Sequence, residues 1–192
     1  MMKIEILYSS TIIFNFYENQ RYTMELFIKK NSGKLTGWIG YTLSKTERSI
    51  DAIDKGAWYP TRQDRTHDLS IVGIYQINPV WSLAATWVYN TGNAVTFPSG
   101  KYEVGEFTVP AYTSRNGYRM PDYHRMDVGV TRTIKKRKKF ESSVNFSIYN
   151  VYGHRNPFSI SFRESETNPG QTEAVRLALF QMVPSFTYNF KF

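Results

Sequence analysis

The last eight residues, Ser185 to Phe192, carry an aromatic ring at every second position: Phe186, Tyr188, Phe190 and Phe192. Ser185, Thr187, Asn189 and Lys191 fill the gaps. Successive side chains of a strand point to opposite faces, so this stretch builds one aromatic face and one wet face. A terminal strand that covers a soluble core is normally faced with Val, Ile or Leu. Rings alternating with polar groups, and finishing on Phe, suit a wall between hydrocarbon and a water-filled lumen. The pattern predicts the closing strand of an outer-membrane β-barrel.

Composition agrees with such a wall. Aromatic residues make up 16% of the 192, with 14 Tyr and 13 Phe, more than an ordinary core uses. Mean hydropathy is −0.44, and no run approaches the roughly 20 apolar residues of a spanning helix. That excludes helical membrane proteins and leaves barrels, in which half of each strand faces water. The net charge is +8. Its densest cluster, Lys135-Lys136-Arg137-Lys138-Lys139, sits between two alternating stretches and reads as a solvated turn rather than a nucleic-acid surface. Cysteine is absent, so neither a disulfide nor a thiolate metal site is available. Residues 1–21 are atypical. Met1 to Tyr17 is a poor secretory signal, with Lys3 as its one n-region charge, Glu5 early, and no small-residue cleavage site. The expectation is an incomplete chain.

Alternation recurs along the sequence. Strands are predicted over Tyr22 to Lys30, Leu35 to Lys45, His67 to Ile77, Trp81 to Asn90, Tyr123 to Ile134 and Phe140 to Tyr152, besides the terminal one. Ile4 to Phe16 supplies an eighth, and Phe140 to Tyr152 is expected to run on through a bulge into Phe158, Ile160 and Phe162. Asn31-Ser32-Gly33 and Asn78-Pro79 are short turn signals. Thr46 to Thr66, Thr91 to Asp122 and Arg163 to Val175 are long loops. Connections therefore alternate short and long, the asymmetry of bacterial barrels with tight periplasmic turns and extended outer loops. The fold class expected is all-β: antiparallel up-and-down transmembrane β-barrel strands, about seven or eight of them, forming an incomplete barrel. An open sheet in lipid would leave backbone groups unpaired, so further strands must complete it.

Several local sequences carry a family likeness. Met24-Glu25-Leu26-Phe27-Ile28-Lys29-Lys30 followed by Gly33-Lys34-Leu35-Thr36-Gly37-Trp38 resembles paired late strands of TonB-dependent outer-membrane receptors, especially those of Bacteroidota. So do Tyr41-Thr42-Leu43-Ser44-Lys45, Asp64-Arg65-Thr66-His67-Asp68 and Arg119-Met120-Pro121-Asp122-Tyr123-His124-Arg125-Met126-Asp127. Tyr149-Asn150-Val151-Tyr152 with Asn156-Pro157-Phe158 is similar to that family's penultimate strand, and Pro184 to Phe192 to its last. The resemblance covers residues 22–192. It implies a barrel of about 22 strands closed by an N-terminal plug, located in the cell outer membrane. Such receptors import scarce ligands (iron chelates, cobalamin or glycans) with energy relayed by inner-membrane TonB. The chain has no room for the plug, the TonB-contacting box or most of the barrel, so the expectation is a C-terminal fragment. Its implied partners are outer-membrane lipid, the remaining barrel and plug, the barrel-assembly machinery, and TonB only through the missing N-terminal region. Phe186, Tyr188, Phe190 and Phe192 are assigned to assembly and membrane contact.

Catalytic chemistry finds little support. His67, His124 and His154 show no HExxH or paired spacing, and neither a Gly-x-Ser-x-Gly elbow nor a phosphate loop is present. No catalytic residue, cofactor or metal is expected. Ligand contact is assigned to the outer loops: Trp58 and Tyr59 in one, and Tyr112, Arg115, Tyr118 and Arg119 in the longest, where cations and rings suit an anionic or sugar-like ligand. Two alternatives stay open, a stand-alone eight-stranded outer-membrane barrel and a soluble basic β-protein that binds nucleic acid.

Overall fold

A computed structural model describes residues 2–14, 18–112, 114–137, 140–168 and 170–192. Its strands, in chain order, are β1 (Met2–Phe14), β2 (Glu18–Lys30), β3 (Leu35–Ser49), β4 (Tyr59–Pro60), β5 (His67–Gln76), β6 (Trp81–Asn90), β7 (Ala94–Val95), β8 (Gly100–Val104), β9 (Phe107–Ala111), β10 (Tyr118–Arg119), β11 (Tyr123–Arg137), β12 (Phe140–Tyr149), β13 (Ser159–Glu164), β14 (Thr172–Leu177) and β15 (Val183–Lys191). Eight long ones form a single antiparallel sheet in the order β1-β2-β3-β5-β6-β11-β12-β15, each beside its sequence neighbour among them. This is the all-β, up-and-down meander expected. Phe16, at the end of the first predicted strand, lies outside the described residues, as do Lys138 and Lys139 of the basic turn.

Register explains why the alternation holds its meaning across the sheet. Residues directly opposite one another in antiparallel strands project to the same side. One row runs Leu35, Tyr75, Leu83, Val130, Phe146, Phe186 across six strands. A second runs Ile28, Ile39, Ile71, Trp87, Met126. The other face carries Thr36, Ile74, Ala84, Gly129, Ser147, Ser185 in one row and Trp38, Val72, Thr86, Asp127 in another. Apolar side chains therefore line one surface, while small and polar groups dominate its reverse. A one-residue slip in any pair would move a strand's whole apolar set to the wrong side, so both faces fix the register together.

That apolar face has nothing packed on it. Among the described residues, Tyr59 and Ala94 are the buried hydrophobic side chains, and both belong to loops. Phe186 is 71% exposed and Phe192 85%. Three of the ladder rings meet along the strand, with Tyr188 6.1 Å from Phe190 and Phe190 5.5 Å from Phe192, and Phe140 lies 5.7 Å from Phe192. Total accessible surface is 13909 Å², against about 9,400 Å² for a compact monomer of this mass. The excess is the area of a sheet without a second layer. Among the described residues no pairing joins β1 to β15, so both outer edges of the sheet are open. Among the described residues no helix is long and apolar enough to cross a membrane, which says nothing of strands.

In a meander, alternate connections share an end. Residues 31–34 and 77–80 turn the chain at one end, the end at which β11 stops and β12 starts, and the connections within 50–66, 91–122 and 150–182 lie at the other. Gly33 takes φ +95° in the first short turn, a conformation glycine adopts without a Cβ penalty. In the second, Asn78 Oδ1 accepts the amides of Val80 and Trp81, each at 2.9 Å, the local bond that makes Asn a turn residue.

The long connections are more ordered than expected. β8 and β9 form a hairpin within the loop predicted over Thr91 to Asp122, where β7 also pairs with β10. The predicted continuation of β12 is not what forms. β12 ends at Tyr149, Asn150 turns the chain at φ +52°, and Phe158 to Glu164 leads instead into a separate hairpin of β13 with β14. Asn tolerates that left-handed region better than most residues, so an apolar stretch that reads as continuous is cut at this position.

Candidate functional site

The three long connections are laced together at their roots. β4 folds back along the end of β3, with Arg48 opposite Tyr59 and Glu47 opposite Pro60. The chain then bulges through a turn in which Asp64 N donates to Thr61 O at 3.0 Å. The bulge removes the backbone partner that the Thr46 amide would otherwise meet. Asp64 Oδ1 replaces it, accepting that amide at 2.5 Å. Its second carboxylate oxygen binds the Arg119 guanidinium, which also donates to Asp64 O at 2.9 Å and Gly92 O at 3.3 Å. Asp64 is 2% exposed and the Arg119 side chain 41%. The pair thus clamps the 50–66 connection to the 91–122 connection.

Neighbouring contacts extend the clamp. Asn116, at φ +52°, donates from Nδ2 to Pro60 O at 2.9 Å and from its amide to Thr96 Oγ1 at 2.9 Å. Gly92 meets the Met120 backbone so closely that a Cβ there would lie 1.5 Å from Met120 O. Asp122 accepts the Tyr89 hydroxyl at 2.6 Å and the Gly92 amide at 3.0 Å. Those two bonds, the Tyr89 bond foremost, hold its carboxyl below the usual carboxylate range. The 150–182 connection joins through Phe97, whose ring meets Phe162 edge-on at 5.1 Å, and through Lys101 Nζ, which donates to Gly170 O at 2.7 Å.

A second corner forms where β11 begins. His124 and His154, far apart in sequence, stack with ring centroids 3.7 Å apart, and the Tyr152 hydroxyl lies 3.0 Å from His124 Nδ1. Asn156 brackets His124, accepting its amide at 3.0 Å and donating to its carbonyl at 2.9 Å. Asn150 does the same for His154 and takes its own amide bond to Asp127 Oδ1 at 2.8 Å. Burial first, then the adjacent His124 and Arg176, pushes the His154 imidazole below its ordinary value. A folded value below the unfolded one means that protons favour the unfolded corner. The contribution to stability is therefore complete above the unfolded value, about 6.5, and is lost as pH falls through the folded value. An NMR titration should place the His154 midpoint below 6.5, and His124→Gln should raise it by removing the neighbouring charge. A midpoint of 6.5 or higher in the unaltered chain would contradict this account.

The sequence-predicted ligand contacts divide between different environments. Tyr112 is 58% exposed and, with Arg115, lines a cleft of about 770 Å³ to which all three long connections contribute. Trp58 lines an adjoining cleft of about 470 Å³ that Arg115 also borders. Tyr118 leans on Phe97 at 5.9 Å. Tyr59 is only 6% exposed, a platform with the Arg115 guanidinium 5.7 Å above its ring. Arg119 is committed to Asp64. Tyr59 and Arg119 thus build the site's frame rather than its open surface. Arg62, Asn93 and Thr96, which sequence reasoning did not single out, also line the larger cleft, with Phe158, which it read as part of a continued strand. Isolated loop residues carry no periodic signal that would have marked them.

On the small and polar face of the sheet, Arg125 pairs with Asp127 at 3.0 Å, covers the Tyr149 ring at 4.2 Å and donates to the Tyr123 hydroxyl at 3.1 Å. His67 and Asp68, adjacent in β5, point to opposite faces and make no catalytic pair. His67 Nδ1 instead lies 2.8 Å from the Tyr41 hydroxyl. Among the described residues no group of three or more His, Cys, Asp or Glu is placed to hold a metal. No family model, no curated protein and no solved structure matches the chain.

Proposed function

We propose that the chain forms C-terminal strands of the barrel of a TonB-dependent outer-membrane receptor, which imports a scarce ligand such as an iron chelate, cobalamin or glycan. The observation that carries this reading is the uncovered apolar face, continuous over the sheet in matched rows, with both sheet edges open. In water such a surface would be a severe aggregation hazard, and in lipid it is the required exterior. Open edges call for more strands of the same wall, since unpaired backbone groups are costly in hydrocarbon. The small and polar face then lines the lumen, and the laced connections face outward to meet ligand. Passage belongs to the complete receptor, with its plug and its link to TonB. The alternating rings of Phe186, Tyr188, Phe190 and Phe192 present the terminal strand to the barrel-assembly machinery and afterwards to lipid.

Epitope insertion tests the orientation directly. A tag in the β8–β9 turn at Gly105 should be labelled by antibody on intact cells, and one at Ser32 only after the outer membrane is opened. Equal access to both sites, or a chain recovered in the soluble fraction, would end the reading. The count of eight long strands favours one rival, a small closed barrel. The chain has no native cysteine, so a scan of paired cysteines along β1 and β15 separates the two. Cross-linking between those strands within one chain supports the closed barrel.

A further inference from the structure

The larger loop cleft has a charge balance unlike its surroundings. Arg62 and Arg115 both line it, no acidic side chain does, and neither guanidinium forms an ion pair among the described residues. The contrast with nearby arginines is informative. Arg119 is tied to Asp64, and Arg163 to Glu166 at 3.1 Å and Glu173 at 2.8 Å. Asp54 Oδ2 meets Arg115 at its main-chain amide, at 3.5 Å, and not at its guanidinium. The Tyr59 ring beneath the Arg115 guanidinium supports it from one side, leaving the planar donor fork for a ligand. Two unpaired cations sharing one cleft repel each other, and a bound anion relieves that repulsion.

The rest of the lining narrows the chemistry. Phe97, Tyr112 and Phe158 supply ring faces, and Asn93, Thr96, Asn116 and Ser159 supply carboxamides and hydroxyls. Rings suit the apolar faces of pyranoses, and carboxamides suit their hydroxyls, while guanidinium forks match carboxylates in two parallel bonds. The volume, about 770 Å³, lies within the usual range for small-ligand sites. We propose that this cleft binds an acidic sugar, a carboxylate-bearing pyranose or short oligomer, with Arg62 and Arg115 holding the carboxylate and the three rings covering the sugar faces. The proposal rests on the receptor reading only in supposing that the cleft faces the medium.

The test uses the barrel into which the chain assembles, extracted from outer membranes in detergent and titrated calorimetrically with trigalacturonate, with its methyl-esterified form as the uncharged twin. The acid should bind at least tenfold more tightly than the ester. Arg62→Gln and Arg115→Gln should each weaken the acid about 10- to 100-fold and leave the ester nearly unchanged. Arg115→Lys should recover part of the loss. Tyr112→Ala and Phe158→Ala should weaken both forms. Lys34→Gln, at the opposite end of the sheet, controls for the general positive charge and should change neither. Equal affinity for acid and ester, an equal effect of Lys34→Gln, or no binding of the acid by the unaltered chain would overturn the assignment. Failure here, with the Gly105 tag still accessible on intact cells, removes the ligand and leaves the receptor. Loss of tag accessibility with acid binding intact does the reverse.

Discussion

Leu83→Arg should destabilise the assembled barrel by about 2–4 kcal/mol, with Ile39→Arg behaving similarly. Leu83 sits in the middle of the longest apolar row, between Tyr75 and Val130, and Ile39 lies between Ile28 and Ile71. Both are exposed on a face over which no described residue packs, so in the proposed barrel a cation there must be carried into hydrocarbon. The same substitution on the reverse face, Thr86→Arg or Ser147→Arg, should cost much less, because in the proposed barrel that face lines a wet lumen. Equilibrium unfolding in lipid vesicles, followed by tryptophan fluorescence, measures the difference. Moving the cation toward either strand end should reduce its cost, since the penalty depends on depth. Equal costs on the two faces would show that the apolar rows meet protein or water and not lipid.

Asp64→Ala should be the most damaging substitution outside the sheet, costing about 2–4 kcal/mol. Breaking a buried pair leaves its partner uncompensated, and fully buried examples reach 3–5 kcal/mol. The partly exposed Arg119 recovers some hydration, which lowers the figure. The half-buried Thr46 amide, however, loses the acceptor that Asp64 supplies. Asp64→Asn should be milder, since its carbonyl can still serve Thr46. Hydrogen exchange provides the readout: amides of Thr46, Thr61 and Met120 should lose protection together in Asp64→Ala, while those of β5 and β6 stay protected. Protection unchanged at Thr46 would remove Asp64 from its clamping role.

These two sites also mark how far the sequence could be read. Apolar-row residues such as Leu83 and Ile39 were legible because strand periodicity is local: two residues along the chain is one step along the same face. Trp81 to Asn90 was located to the residue for that reason, and the open meander followed from strands separated by alternately short and long gaps. The Asp64–Arg119 clamp depends on two loops meeting in space, and no spacing along the chain predicts that. Both residues stood inside stretches resembling the receptor family, yet the resemblance did not say that they touch. The break after Tyr149 was misread because apolar alternation resumes at Phe158, and one left-handed residue, Asn150, redirects the chain between them. The β8–β9 and β13–β14 hairpins were hidden for a different reason. Phe107 to Ala111 includes Pro110, and Glu173 and Arg176 put charge into the short β14, while β13 was read as strand through Ile160 and Phe162 but as the continuation of β12. Among the proposed contacts, Tyr59 and Arg119 do lie in the long connections, but only coordinates distinguish a buried ring or a bonded cation from one that is free.

The lacing of the three long connections has a mechanical consequence. With Arg119 tied to Asp64, Asn116 to Pro60, and Lys101 to Gly170, no one arm can swing while the others stay put. Any gating at that end must tilt them as one plate, or first sever a tie, so shortening a single arm should disturb capture by its neighbours as much as by itself.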